Sequence, residues 1–343
     1  MERIRVFLKR KNIEITVKRY LIEVLGFMAL GLFSSLLIGT ILNSIGMKFQ
    51  IKFLTDTVWP LCRSMTGATI GVAVAYALKA PPLVVFSSVI TGAAGNAVGG
   101  PVGALIASLF GAEFGKMVSK ETKIDILVTP ITTILVGITM GGLVGPYIEK
   151  LMTALGLIIM KATELSPINM GIVVSVIMGI ILTLPISSAA IAIMLKLSGI
   201  AAGAATVGCS SQMIGFAVMS FRENGWGGFV AQGLGTSMLQ MPNIIRNWKI
   251  WIPPILTSAI LGPVATKVFK MENIPIGAGM GTSGLVGQFG TITAMSNKGI
   301  SDINLYILIF VLHVLAPAIL TYIFAEIMRK IGWIKEGDMK LEL

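Results

Sequence analysis

The sequence predicts an all-α polytopic membrane protein of about ten transmembrane helices, some of them broken or re-entrant hairpins. Apolar residues make up 55% of its 343 residues and charged residues only 13%, and the mean hydropathy is +0.86. An aqueous fold could not cover that much apolar surface. The 39 glycines and 20 methionines suit close helix packing. A membrane β-barrel is excluded because its strands would alternate apolar and polar residues.

The first element is a basic segment over residues 1–20, which we expect in the cytoplasm. The apolar run that follows, Leu21 to Leu42, is too long for a signal-peptide core and lacks a convincing cleavage site. We therefore interpret it as a retained first span. The remaining apolar runs have about the length that a bilayer core requires. The predicted spans are 21–44, 58–78, 125–148, 168–195, 250–270 and 303–328.

Two longer stretches contain glycine-rich breaks and are predicted to be helical hairpins, either fully crossing or re-entrant. Residues 83–118 are broken at 91–96 and at Gly99-Gly100-Pro101, and residues 199–245 are broken at 222–225 and at Gly227-Gly228. A third stretch, 276–290, is apolar but too rich in glycine for a plain span. We predict a re-entrant loop over about 272–298, within a single transmembrane domain, 21–330, followed by a cytoplasmic tail, 331–343.

The basic residues between the runs orient the chain, because short cytoplasmic loops carry the excess of lysine and arginine. The net charge is +11. Alternation predicts that both termini are cytoplasmic and that position 160 faces outside, whereas positions 120 and 196 face inside. The residues expected inside are Arg3, Arg5, Lys9, Arg10, Lys11, Lys18, Arg19, Lys79, Lys116, Lys120, Lys123, Lys196, Arg246, Lys249, Arg329 and Lys330. Those left outside are Lys48, Lys52, Lys150, Lys161, Lys267 and Lys270.

The order of features predicts an internal duplication, with repeat A at about 58–150 and repeat B at about 168–270. Lys79, a broken hairpin and the run from Pro130 recur as Lys196, a second broken hairpin and the run from Pro253. Because both copies begin after a lysine expected inside, the layout implies parallel repeats.

The breaks are where a solute would bind, because irregular backbone at membrane depth survives only beside protein or a water-filled cavity. The polar side chains there are neutral amides and hydroxyls, which suit a sugar or another uncharged polyhydroxylated solute. The plainer alternative is that the small residues only pack helices and that each hydroxyl bonds to its own helix. The candidate substrate-binding residues are Gly95, Asn96, Gly99, Gly100, Ser210, Ser211, Gln212, Thr282, Ser283 and Gln288.

Ionisable residues within the runs are candidates for coupling or gating. Glu113 could couple transport to an ion or could simply pair with Lys116 three residues later. His313 could relay a proton or make an interhelical hydrogen bond. Arg63 could act as a gate, pair with Asp56 or extend to the outer surface. Arg222 and Glu223 are expected at a loop tip.

Several function classes are excluded. The chain has no P-loop, GxSxG or HExxH motif and no appended soluble domain of useful size, so we expect no enzymatic activity of its own. Cys62 and Cys209 lack the spacing of a disulfide framework or a zinc site, and no cofactor or metal is expected. Basic runs with interleaved aromatic residues are missing beyond residue 19, which argues against nucleic-acid binding.

The overall plan resembles the enzyme-IIC-like membrane proteins of the phosphotransferase system, the group that includes perfringolysin-regulator-type proteins. Four motifs behind the basic N-terminus carry the resemblance over about residues 12–335. They are Thr91-Gly-Ala-Ala-Gly-Asn-Ala-Val-Gly-Gly-Pro101, the Pro-Ile-Thr-Thr run from Pro130, the Leu-Pro-Ile-Ser-Ser run from Leu184 and the block Gly-Ala-Gly-Met-Gly-Thr-Ser-Gly-Leu-Val-Gly-Gln from Gly277.

The resemblance implies sugar transport, a homodimer and the bacterial inner membrane as the location. Sugar-translocating members typically carry an acidic sugar-binding residue in a re-entrant loop, and neither 95–100 nor 277–290 contains one. The resemblance also implies that phosphotransfer would need separate IIA-type and IIB-type proteins.

Three hypotheses follow. The first is a transporter of a small polar solute through a cavity lined by the hairpins. The second is a membrane sensor or regulator with a transporter fold, and the third is an ion-coupled carrier of an anionic metabolite. The hairpins and the 276–290 loop would form the moving part, and spans 21–44 and 303–328 the static or dimer-forming frame.

Overall fold

A computed structural model describes residues 2–299 and 303–341. The predicted positions of the Arg3, Arg5 and Lys48 side chains and of the last two tail residues fall outside this description. The described residues are helical, with one isolated antiparallel bridge between Gly199 and Asn273 and no strand. The helices are α1 Glu2–Arg10, α2 Lys18–Met47, α3 Trp59–Ser64, α4 Thr66–Ala77, α5 Pro82–Val118, α6 Asp125–Thr163, α7 Pro167–Thr183, α8 Ser188–Met194, α9 Gly199–Met219, α10 Phe221–Val230, α11 Met241–Arg246, α12 Ile252–Pro263, α13 Pro275–Ala278, α14 Val286–Ser296 and α15 Ile303–Lys330.

Five of these helices, α2, α5, α6, α9 and α15, are long and apolar enough to cross a membrane among the described residues, and α4 and α7 are shorter apolar helices. The chain is therefore an all-α polytopic membrane protein, as the sequence predicts, whereas the count of about ten spans stays a prediction. The chain divides into unit 1, residues 1–39 and 52–151, and unit 2, residues 40–51 and 152–343.

Several predicted spans have different limits in the structure. The span expected at 58–78 is interrupted at Met65. The one expected at 168–195 stops at Thr183, because Pro185 follows and cannot continue the helix. The helix expected at 125–148 continues to Thr163, a length of about 58 Å at 1.5 Å per residue.

Unit 1 is built around α5, which is a hairpin of two antiparallel limbs, as predicted. The turn is at Gly99 and Gly100, and Gly100 has φ 58° and ψ −151°, a conformation open essentially only to glycine. The hydroxyls of Thr91 and Ser108 are 3.1 Å apart, although a straight helix would separate these residues by about 26 Å. Each limb is about 26 Å long, close to the thickness of a bilayer core.

Unit 2 is built around α9, whose first neighbour is α7. A Cβ atom on Gly208 would collide with the Ser175 carbonyl, and one on Gly179 would lie 2.8 Å from the Gly208 oxygen. At the far end, Thr183 contacts Gln212. Because the numbers of the contacting residues increase in the same direction along both helices, α7 and α9 are parallel. The chain returns between them through α8.

The second hairpin turns at Gly225, within the first of the two predicted breaks, 222–225, and not at the second, Gly227-Gly228. Gly225 has φ 57° and ψ −157°, nearly the conformation of Gly100, whereas a Cβ on Gly227 would face open space. On the returning limb, a Cβ added to Gly233 would lie 3.5 Å from the side chains of Ile214 and Ala217. It ends at Gly235, after about 15 Å, so its length is about half that of a crossing limb.

The parallel α7 and α9 correct the predicted topology. The Arg329 guanidinium donates a 2.6 Å hydrogen bond to the Met219 carbonyl at the C-terminal end of α9, whereas Lys196 precedes its N-terminal end. The 21 residues of α9 separate these ends by about 31 Å. Lys196 and Arg329 therefore lie at opposite ends of α9, and the prediction that both face the cytoplasm does not fit an α9 that crosses the bilayer. Leu195 packs against Gly156 of α6, so positions 160 and 196 lie at the same end of unit 2.

The expected duplication stays a prediction. The parallel orientation of its repeats was inferred from placing both Lys79 and Lys196 inside, and the direction of α9 removes that support. Local features do recur, since Lys79 and Lys196 end helices at φ 51° and 49° and each is followed by a helix and a glycine turn. The two units differ in helix direction: α7 and α9 run parallel, whereas α4 and the first limb of α5 do not. Those are antiparallel, with Gly67 beside Asn96 and Gly71 beside Ser88.

The segment after α15, predicted to be a cytoplasmic tail, is docked on the second hairpin tip. Ile334 and Met339 are buried, and the Met339 N–H donates to the Glu223 carboxylate at 2.8 Å. The Asn224 amide donates to the Met339 carbonyl and accepts from the Leu341 N–H, both at 2.8 Å. Residues 333–341 thus form a C-terminal strap on unit 2, held largely by side-chain amides.

Candidate functional site

The candidate site in unit 2 forms because α9 is made of small residues. Glycine, alanine and serine let neighbouring helices approach α9 from several sides. As a result, 94% of its apolar 18-residue stretch is buried. The polar side chains Ser210, Ser211 and Gln212 consequently have no exposure at all. A buried polar group is costly unless it is hydrogen-bonded, so their partners decide what the site can do.

Ser210 and Ser211 differ sharply in their partners. The Ser211 hydroxyl donates to the Val207 carbonyl of its own helix at 2.8 Å, which is the structural role that the plainer alternative assigns to such residues. The Ser210 hydroxyl has no hydrogen-bond partner. Of these two adjacent and equally buried hydroxyls, only Ser210 is available to a ligand.

Gln212 presents two unused N–H donors. Its amide oxygen accepts from the Trp251 indole N–H at 2.9 Å and from the Thr183 hydroxyl at 3.2 Å. The indole can only donate, so the oxygen must face Trp251. The amide nitrogen, Nε2, is buried and has no partner.

The glycine-rich segment packs against the same face of α9. A Cβ on Gly281 would lie 2.8 Å from the Ser210 nitrogen, and the Thr282 hydroxyl donates to the Gly233 carbonyl on the returning limb. The backbone turns through positive φ at Gly281, Gly284 and Leu285 before α14 begins. The buried Ser283 hydroxyl has no partner.

Gln288 on α14 pairs with His313 on α15. The Gln288 amide nitrogen lies 3.1 Å from His313 Nδ1, and His313 Nε2 lies 3.2 Å from the Met271 sulfur. Since the amide nitrogen donates, Nδ1 accepts, and the ring proton is on Nε2. The sequence left two hypotheses for His313, a proton relay and an interhelical hydrogen bond, and the hydrogen bond is present in the structure. The Gln288 oxygen remains unpaired.

Among the described residues, six buried side-chain nitrogen or oxygen atoms lack a hydrogen-bond partner. Four of them belong to Ser210, Gln212, Ser283 and Gln288, all of them candidate residues and all in unit 2. The other two belong to Arg19 and Glu113. Unpaired buried groups of this kind are rare in native proteins, and each costs about 1–3 kcal/mol. Those of unit 2 lie on α9, the glycine-rich segment and α14.

The candidate residues of unit 1 have different surroundings. Gly99 and Gly100 form the hairpin turn, and Gly95 packs so closely on Gly103 that a Cβ would collide with its carbonyl. Asn96 is half-buried, with its Cβ facing Gly67. The candidate residues of unit 1 therefore lie near one another. The four unpaired groups named above belong to unit 2.

The ionisable candidates of unit 1 are also placed. Glu113 is buried, lies 3.1 Å from the Lys116 ammonium and accepts from the Tyr20 hydroxyl at 3.2 Å, so the predicted pairing with Lys116 is present. Arg63 is exposed. The proposed partner of Arg63, Asp56, instead accepts from the Thr55 hydroxyl at 2.6 Å.

Asn273 is a site-forming residue that the sequence analysis missed. Its amide nitrogen donates to the Thr206 and Thr291 hydroxyls at 2.6 and 3.1 Å and to the Gly287 carbonyl at 2.9 Å. It thereby ties the glycine-rich segment to α9. The available signal was its position two residues before Pro275, because asparagine commonly hydrogen-bonds nearby backbone at such turns.

A protein-family model described as Phosphotransferase system, EIIC matches residues 22–341. The match covers nearly the whole chain and includes both units. Neither a curated protein nor a solved structure matched the chain.

Proposed function

This chain belongs to the EIIC family of the phosphotransferase system, and from that premise we propose that it carries a small, uncharged, sugar-like solute across the membrane. Members of the family are membrane transport components that work with IIA and IIB phosphotransfer proteins. The observation that carries the proposal is the set of four buried, unpaired groups on Ser210, Gln212, Ser283 and Gln288.

The chemistry of these four groups supports a neutral polyhydroxylated solute. Gln212 offers donors, Gln288 offers an acceptor, and the two serine hydroxyls can do either. Each hydroxyl of a sugar needs a donor or an acceptor in place of the water that it leaves. None of the four is ionised, which favours a neutral solute over an ion.

The proposal also includes the bacterial inner membrane as the location and a homodimer as the assembly. The moving part would be the two hairpins and the glycine-rich segment, as the glycine turns at Gly100 and Gly225 suggest. A sensor with the same fold would bind the solute without moving it. Uptake of radiolabelled solute into proteoliposomes separates the two.

The site is tested with a matched pair of variants. Purified protein is screened for a thermal shift with a panel of neutral hexoses, pentoses and polyols, and the solute giving the largest shift is titrated. We expect Ser210→Ala to weaken binding by about 1–3 kcal/mol and Ser211→Ala to leave it unchanged, since the Ser211 hydroxyl is already bonded within α9.

Equal binding by Ser210→Ala, Gln212→Leu and the wild-type protein would contradict this site. A thermal shift with anionic metabolites and none with neutral solutes would favour the anion-carrier hypothesis instead.

A further inference from the structure

Unit 1 contains a basic cavity that lies outside the proposed solute site. Its volume is about 400 Å³, within the range of small-ligand pockets. It opens where the segment after α1 meets the ends of α4 and α5. Five basic side chains line it against one carboxylate, namely Arg10, Lys11, Lys79, Lys116, Lys120 and Glu121.

Three of these basic side chains already have partners within the protein. The Lys116 ammonium donates to the carbonyls of Asn12 and Leu78 at 2.8 and 3.0 Å, besides its pairing with Glu113. Arg10 and Lys11 share Glu121, at 2.7 and 2.5 Å. Lys11 also donates to the Ser119 carbonyl. The carbonyl groups at the C-terminal ends of α4 and α5 thus accept hydrogen bonds from Lys116 and Lys11, respectively.

Lys79 has no acidic partner in the part of the chain that the structure describes, whereas the backbone N–H of Lys120 donates to the Asp125 carboxylate at 2.7 Å. Lys79 and Lys120 are both exposed and directly follow a helix end, with φ 51° and 60°. This backbone geometry fixes their positions at the rim of the cavity. With five basic side chains and one carboxylate in its lining, the cavity has an electrostatic potential that favours an anion.

We propose that this cavity binds the phosphate of an anionic lipid headgroup. Exposed aromatic side chains on the helix turns next to Lys79 and Pro81 favour a lipid over a soluble phosphate. Tyr76, one turn before Lys79, is 66% exposed, and Phe86, one turn after Pro82, is 69% exposed. Such side chains can pack against acyl chains while the headgroup sits among the lysines. Basic pockets between transmembrane helices and basic amphipathic helices are general modes of anionic-lipid recognition.

The test uses the full-length protein, delipidated in detergent and supplied with phosphatidylglycerol or phosphatidylcholine, with bound lipid counted by native mass spectrometry. The variant is Lys79→Gln with Lys120→Gln. Its matched control is Lys196→Gln with Lys270→Gln, which removes the same charge at helix ends of unit 2 with φ 49° and 46°. Glutamine tolerates this conformation, since Gln50 adopts φ 55°.

We expect the wild-type protein and the control to retain phosphatidylglycerol at least tenfold over phosphatidylcholine, and the cavity variant to lose that preference. A second arm titrates inorganic phosphate at constant ionic strength. Binding of inorganic phosphate without any preference between the lipids would overturn the lipid assignment in favour of a soluble phosphate. Equal retention of phosphatidylglycerol by the variant, the control and the wild-type protein would overturn the site itself.

Discussion

Gln288 and His313 depend on each other, because the Gln288 amide nitrogen and His313 Nδ1 form a hydrogen bond between two buried side chains. Replacing His313 with Phe should leave the Gln288 amide N–H unpaired and destabilise the protein by about 1–3 kcal/mol. In Gln288→Leu the same His313→Phe change should cost less, since the donor is already gone. Thermal unfolding of the two single variants and the double variant measures this coupling.

A proton-relay role for His313 would give a different pattern. Transport would then be lost in His313→Phe without a change in melting temperature, and the two substitutions would act independently on stability.

Glu121 fixes the segment after α1 to unit 1 in a pH-dependent way. The hydrogen bond from Lys11 lowers the pKa of the Glu121 carboxyl below its ordinary value. Since the folded pKa lies below the unfolded one, this ion pair stabilises the fold above the unfolded pKa and is lost as the pH falls through the folded pKa. A spin label at Val6 should become mobile only in that acidic range.

The matched variant for this experiment is Glu121→Gln, in which we expect the label to be equally mobile at every pH. A mobility step of the same size in Glu121→Gln would assign the transition to another group.

At the scale of the elements, the second hairpin depends on one glycine. Gly225 occupies a region of φ and ψ that costs other residues about 1–3 kcal/mol, whereas Gly227 faces open space. We therefore expect Gly225→Ala to lower the free energy of unfolding by that amount, and Gly227→Ala to be near neutral. Reversible unfolding in mixed micelles measures both, and equal costs would place the turn elsewhere.

The hairpins show what sequence can predict about these elements. The first turn was predictable at Gly99 and Gly100, because a Gly-Gly-Pro sequence punctuates an apolar run that is too long for one span. For the second, the sequence predicted breaks at 222–225 and at Gly227-Gly228 and could not choose between them, because Gly225, Gly227 and Gly228 are locally equivalent. Only the packed returning limb selects Gly225. The site is similar: composition identified Ser210 and Ser211 together, and only the three-dimensional partners separate them.

At the scale of the whole molecule, the direction of α9 decides the side assignments in unit 2. Hydropathy carries no direction, so a parallel pair such as α7 and α9 is invisible to an alternating count. We expect single cysteines at positions 160 and 196 to be labelled from one side of the membrane and position 330 from the other, in a Cys62→Ser background. Labelling of 196 and 330 from the same side would contradict the parallel packing.

Family membership was the most predictable property of the whole chain. The glycine-rich motifs around Thr91 and Gly277 carried a resemblance that the family match over residues 22–341 confirms. Glycines of these motifs make close backbone contacts in the fold, such as Gly95 with Gly103 and Gly281 with Ser210. The solute stays a proposal, since hydroxyls and amides alone do not select one sugar from another.

The C-terminal strap has a consequence for the order of biosynthesis. Asn224 pairs with Met339 and Leu341, which follow it by 115 and 117 positions. At about 5–20 residues per second, the ribosome delivers these partners on the order of ten seconds after the hairpin tip itself. During that interval the Asn224 amide can donate to the Ser220 carbonyl, 3.3 Å away in the same hairpin, but its bonds to Met339 and Leu341 are missing. Docking of the strap is therefore a late step in the folding of unit 2, and slowing translation over residues 331–341 would prolong the exposure of the tip to membrane proteases.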